Sequence, residues 1–234
     1  MALYAGTIFL GAFLLFQVQP LVARYILPWY GGSPAVWTTC MLFFQLLLLG
    51  GYLYAHLVGT RLNPRRQAAV HAGLLLLAVA LLPITPDEGW RPVDPTNPTL
   101  QIIAVLLVTV GVPYLVVAAS SPLLQHWFTR TEPGRSPYRL FALSNAGSLL
   151  GLVTYPFLLE PLLSTGTQTR LWSATFGLYV LICGVCAARV FRSGSRVVPV
   201  VDRPAGPVPT RDRVLWLSLA ACGSLMLLAT TGLD

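Results

Sequence analysis

Apolar residues in this chain come in long blocks, not in short amphipathic stripes. Seven stand out, approximately Leu3–Ala23, Val36–Val58, Ala68–Ile84, Thr99–Ser120, Tyr138–Leu159, Leu171–Ala188 and Val214–Thr230. Each approaches the ~20 residues that cross ~30 Å of hydrocarbon. Turn-forming stretches separate them, among them Trp29-Tyr-Gly-Gly-Ser-Pro34 and the proline-studded residues 83–98. Lipid offers the backbone no hydrogen bonds, so the blocks are expected to be helices, and porin-type alternation is absent. The predicted fold is an all-α integral membrane protein with about seven transmembrane helices. The first block reads as a retained span and not a secretory signal. It has no basic n-region, its apolar run is too long, and no Ala-x-Ala site precedes Arg24.

Composition strengthens this reading. Hydrophobic residues make up 55% of the 234 and charged residues 10%, against roughly 25% charged in soluble proteins. A soluble globule has too little polar material here to cover its surface. All fifteen Lys+Arg are arginine, and the net charge is +7.

Position decides what that charge means. Twelve arginines fall in the second, fourth and sixth connections: Arg61, Arg65, Arg66, Arg130, Arg135, Arg139, Arg189, Arg192, Arg196, Arg203, Arg211 and Arg213. Only Arg24, Arg91 and Arg170 fall on the other side. That bias places the N-terminus in the cytoplasm and, with seven spans, residue 234 outside, in a multi-pass inner (plasma) membrane protein. The basic balance is then an orientation signal, and nucleic acid is not an expected partner. All six tryptophans lie near predicted span ends, where an amphipathic indole suits the headgroup layer.

An internal repeat is also visible. Gly31-Gly-Ser-Pro34 opens the second span and Gly134-Arg-Ser-Pro137 the fifth, 103 residues later; the same offset aligns Tyr52 with Tyr155. Gln19-Pro20-Leu21 resembles Ser121-Pro122-Leu123 at an offset of 102. Three spans per unit is odd, so the second unit would enter the membrane inverted, as in each half of major-facilitator transporters. The expected organisation is a six-helix domain over 1–188, with repeats at about 1–85 and 99–188. A cytoplasmic arginine-rich loop follows over 189–213, then a seventh helix over 214–234. That last helix resembles the start of a second half, so a truncated chain is expected.

Polar residues within the spans are the candidate site. Gln17, Pro20 and Arg24 stand at i, i+3 and i+7 on one helical face, with Gln19 beside them. Such a stripe suits a carboxylate or a hydrogen-bonding solute; equally, the arginine can snorkel while the glutamines bridge helices. Gln45 and Asn145, mid-span in the second and fifth blocks, can complete a central site or act as interhelical glue. Glu160, between Pro156 and Pro161, can attract a cation, pair with Arg24 or Arg170, or remain solvated. Ser144, Gly147, Ser148 and Gly151 read as a helix-packing flank. Cys183-Gly-Val-Cys186 lacks the further ligands zinc needs and reads as packing, and His56, His71 and His126 suggest no metal site. No cofactor motif is present.

Several blocks resemble the membrane region of bacterial fused spermidine synthase-like proteins. They are residues 13–28 (Phe13 to Pro28), Gly31-Gly-Ser-Pro-Ala-Val-Trp37, Gly51-Tyr-Leu-Tyr-Ala-His56, Ser121-Pro-Leu-Leu-Gln-His-Trp127 and residues 136–151 (Ser136 to Gly151). The resemblance implies a major-facilitator-like membrane domain ahead of an aminopropyltransferase-type domain, and a polyamine-related role. This chain carries no such catalytic domain and no catalytic residue transfers, so the 234 residues are not expected to be an enzyme. Two functions remain. One is binding or transport of a small polar, polyamine-related or cationic solute. The other is a membrane scaffold that anchors a cytosolic enzyme domain or further helices without transport.

Overall fold

The computed structural model describes residues 1–91, 98–132, 137–193 and 209–231. They are almost entirely helical, with no strand among them. We number the long helices α1 (Ala2–Tyr30), α2 (Pro34–Arg61), α3 (Pro64–Ala80), α4 (Pro98–Thr131), α5 (Tyr138–Leu162), α6 (Thr165–Ser193) and α7 (Thr210–Thr231). Five of these, α1, α2, α4, α5 and α6, are long and apolar enough to cross a membrane. Of the seven spans expected, the third and seventh fall outside that set: α3 has 17 residues, and α7 is not among the five.

The helices begin where the local chemistry dictates. Ser33 caps α2 by accepting from the Val36 amide at 3.5 Å, with Pro34 in the first turn, where its missing N–H costs nothing. Asn63 caps α3 from the Arg66 amide at 2.9 Å, followed by Pro64. The helices generally overrun the apolar blocks, because the intrahelical hydrogen-bond ladder does not depend on side-chain polarity. Helix α1 runs past Ala23 through Arg24 and Pro28 to Tyr30, and α6 starts at Thr165 instead of Leu171. Helix α3 instead stops at Ala80, short of Ile84, since the residue before Pro83 is pushed out of helical geometry. Two π-helical turns widen the bundle, Leu107–Gly111 within α4 and Tyr155–Leu159 within α5. The second contains Pro156, which cannot donate to the regular ladder.

The loop expected at 189–213 is shorter on both flanks, because α6 continues to Ser193 and α7 begins by Thr210. Residues 194–208 lie outside the described residues, and with them Arg196 and Arg203. So do Asp94, Asp234 and the Gly134-Arg-Ser136 part of the second repeat motif, including Arg135. The chain separates into two compact units, residues 1–197 and 198–234.

Within the first unit α1 packs most extensively on α5, α2 on α4 and α3 on α6, and α1 also contacts α4 and α6. Glycines at the crossings let the backbones approach closely. A Cβ on Gly147 would stand 2.5 Å from the Phe9 carbonyl oxygen, and one on Gly151 2.7 Å from that of Phe13. Ser148, half-buried on the same helix, donates back to the Ser144 carbonyl at 3.0 Å. The α2–α4 contact uses Gly51 in the same way: its Cβ would stand 2.8 Å from Cβ of Ala118. At one end of the unit the Met1 ammonium meets the Glu132 carboxylate at 2.9 Å. At that end too, Pro64, Gln67, Arg130, Thr131, Val190 and Ser193 border one small hollow. Toward the other end Tyr30 donates its hydroxyl to the Trp90 carbonyl at 3.2 Å.

Candidate functional site

A cavity of about 450 Å³ opens between α1, α2, α4 and α5, within the ~300–1,000 Å³ typical of small-molecule sites. Gln19, Pro20 and Arg24 reach it from α1, and Glu160 from α5. The rest of the wall is mainly apolar, formed by residues such as Ile26, Trp37, Met41, Phe44, Leu106 and Leu152. Gln19 lies five positions before Arg24, which sets their backbones about 7.5 Å apart along the helix axis.

The polar groups have defined anchors. Arg24 Nη1 donates to the Glu160 backbone carbonyl at 3.3 Å, which ties α1 to the end of α5. That bond uses one of five guanidinium N–H donors. Gln19 Nε2 donates to the Tyr114 hydroxyl at 3.1 Å, leaving its amide oxygen as an acceptor. Tyr155, the first residue of the π-helical turn, lines the cavity while its hydroxyl donates to Gln168 at 2.9 Å.

Three of the six sequence candidates therefore converge: Gln19, Arg24 and Glu160. Gln17 is buried and faces α5, as Arg24 does, but donates to Thr154 Oγ1 at 3.3 Å. It lines a separate cavity of about 110 Å³, with Gln168, Trp172 and Thr175. Gln45 and Asn145 do not join either cavity; both are exposed, on α2 and α5. Among the described residues no group of three or more His, Cys, Asp or Glu side chains is placed to hold a metal.

Two features escaped sequence reasoning. His71, fully buried on α3, has Nε2 3.1 Å from Ser120 Oγ and 3.8 Å from Cys183 Sγ, and Nδ1 3.4 Å from the Tyr54 hydroxyl. Ser120 donates its own proton to the Val116 carbonyl at 2.6 Å, so it accepts from His71 and sets the Nε2–H tautomer. A lone histidine in an apolar run gives no sequence pattern to find. The second feature is Gln67, which donates Nε2 to the Gly59 and Leu62 carbonyls (3.1 and 2.8 Å) and accepts from Trp127 Nε1 at 2.9 Å. Gln168 does the same to the Leu159 and Leu163 carbonyls (3.1 and 2.8 Å) and accepts from Tyr155.

Fold and site together define an all-helical protein with membrane-length apolar helices and a partly polar cavity between them. Comparison with family models, curated proteins and solved structures finds no match.

Proposed function

We propose that residues 1–193 form a six-helix membrane domain of two inverted three-helix repeats that binds or moves a small polar solute. Three sets of contacts support the inversion. The packing is reciprocal: α1 on α5 answers α4 on α2, and α3 on α6 closes on itself. Gln67 and Gln168, 101 residues apart, each clamp the end of the preceding helix from the start of the third. The glycine approaches correspond as well, Gly51 on Ala118 answering Gly151 on Phe16. Hydrogen bonding pairs Tyr155 with Tyr54 and not with Tyr52: Tyr155 and Tyr54 both reach the third helix of their unit, whereas Tyr52 is exposed.

In this reading α3 also crosses the bilayer, the arginine-rich end is cytoplasmic, and the cavity opens toward the outer face. The convergence of Gln19, Arg24 and Glu160 on one 450 Å³ cavity carries the solute-binding reading. The test is thermal stabilisation of the purified 234-residue protein by a panel of amino acids, polyamines and organic acids. At least one class raises Tm in the native protein and not in Arg24→Gln. No response to any class, with an unchanged Tm for the variant, contradicts solute binding.

A second reading, a scaffold that anchors a cytosolic aminopropyltransferase-type enzyme, is favoured by exposed Arg61, Arg65, Arg66, Arg139 and Arg192 around the arginine-rich end. Copurification of a soluble enzyme that is lost on neutralising Arg65, Arg66 and Arg192, without solute stabilisation, supports it.

A further inference from the structure

Resting on the solute-site reading above, we infer that the cavity takes a zwitterion with an apolar body, of the type of a hydrophobic α-amino acid, and not a polyamine. The two charged residues that line it carry opposite signs and come from facing helices: Arg24 on α1 and Glu160 on α5, joined through the guanidinium bond to the Glu160 carbonyl. A polyamine would bring several ammonium groups to one carboxylate with a guanidinium alongside. Its remaining charges would lie against Trp37, Met41, Phe44 and Leu106, where no partner compensates their lost hydration. A simple anion would satisfy Arg24 but meet Glu160. A zwitterion satisfies both at once, its carboxylate on Arg24 and its ammonium on Glu160.

The remaining volume sets the body of the ligand. Below the charged pair the wall is apolar and partly aromatic, with one polar group at depth, the Gln19 amide held by Tyr114. An aliphatic or aromatic side chain buries its surface there, and an indole N–H can donate to the Gln19 oxygen. A short polar side chain leaves the apolar wall unfilled. The same chemistry, an ammonium and an anion beside an apolar body, is also presented by a zwitterionic phospholipid such as phosphatidylethanolamine.

The experiment measures binding by thermal shift and by microscale thermophoresis on the 234-residue protein in phosphatidylcholine nanodiscs. The probes are phenylalanine, leucine and tryptophan, with phenethylamine (no carboxylate), 3-phenylpropionate (no ammonium), serine (no apolar body) and spermidine. Removing either charge from phenylalanine, or its ring, weakens binding roughly tenfold or more. Arg24→Gln erases the preference for phenylalanine over phenethylamine, and Glu160→Gln the preference over 3-phenylpropionate. The probe series on the native protein keeps the inference testable even if a variant misfolds. A parallel set in phosphatidylethanolamine nanodiscs separates the sources: no binding of free amino acids in phosphatidylcholine, with a higher Tm of the ligand-free protein in phosphatidylethanolamine that Arg24→Gln loses, assigns the site to a lipid headgroup and overturns the free-amino-acid class. Spermidine binding more tightly than phenylalanine also overturns the class, yet leaves the solute site standing. No binding by any probe, with the same Tm in both lipids, overturns both.

Discussion

Gln67 at the start of α3 and Gln168 at the start of α6 hold the preceding helix by the same pair of carbonyl contacts, yet an indole completes one clamp and a phenol the other. The same partition into common scaffold and separate chemistry recurs elsewhere. Under the proposed inverted repeat, Arg24 on α1 corresponds to His126 on α4, and Glu160 on α5 to Gly59 on α2. The pairs meet in corresponding places: Arg24 bonds the Glu160 carbonyl, and a Cβ on Gly59 would stand 3.6 Å from the His126 ring. Only the pair on α1 and α5 combines a permanent cation with a carboxylate. Trp172 on α6 donates to the Leu14 carbonyl at 3.1 Å, where His71 on α3 instead meets Ser120. On the proposed repeat, backbone contacts that hold helices together tolerate one geometry and recur in α1–α3 and α4–α6, whereas side chains that face cavities or cores are free to diverge between them.

That contrast can be broken most severely at the helix crossings. Gly147→Val and Gly51→Val force a branched side chain into backbone or Cβ atoms nearer than 3 Å, which costs about 1–3 kcal/mol or more through overpacking. Both are expected to lose the monodisperse peak in size-exclusion chromatography, whereas Gly177→Ala, with open space around it, keeps the peak. Next come the clamps. Gln67→Leu and Gln168→Leu each strand two carbonyls and an indole or phenol donor, an expected loss of about 1–3 kcal/mol. Near-equal drops in Tm for the two would sharpen the correspondence; a large drop in one alone would break it.

The core difference between the units follows. His71→Phe keeps a planar ring, somewhat larger, but removes the hydrogen bonds with Ser120 and Tyr54, and should cost about 1–3 kcal/mol in a thermal melt. Trp172→Phe, which gives up one indole–carbonyl bond and part of a ring stacked on Phe176 at 5.1 Å, is expected to cost a similar amount. The smallest effect belongs to the charged pair. Arg24 is half-buried and Glu160 exposed, so Arg24→Gln should change stability by about 0.5 kcal/mol or less while removing ligand response. Gly59→Ala, which adds only a Cβ at ordinary contact distance from the His126 ring, should be tolerated there.

Legibility followed the same division. Helix starts were open to reading because Ser33-Pro34 is a cap written in sequence, and the apolar blocks gave α1, α2, α4, α5 and α6. Helix ends were harder, since Arg24 and Pro28 look like terminators yet α1 runs through both. Arg24 and Glu160 drew notice as charges at span ends. Gln17 was harder to place, because helical periodicity gives a face but not which neighbour covers it: α5 meets both Gln17 and Arg24 and leaves them in separate cavities. Gln67 and Gln168 lie at helix starts, where polar residues attract no attention, and only their spacing could have joined them.

The proposed inversion of α4–α6 relative to α1–α3 is tested most directly by the sidedness of four cysteines introduced one at a time. Cys40, Cys183 and Cys186 are buried and Cys222 is exposed, so the background for labelling is the Cys222→Ser protein. Arg65→Cys and Arg139→Cys should react with a membrane-impermeant maleimide only after cells are disrupted, and Arg91→Cys and Arg170→Cys in intact spheroplasts. Finding Arg65→Cys and Arg91→Cys on the same side would mean that α3 does not cross the membrane, and the inverted-repeat account would fall.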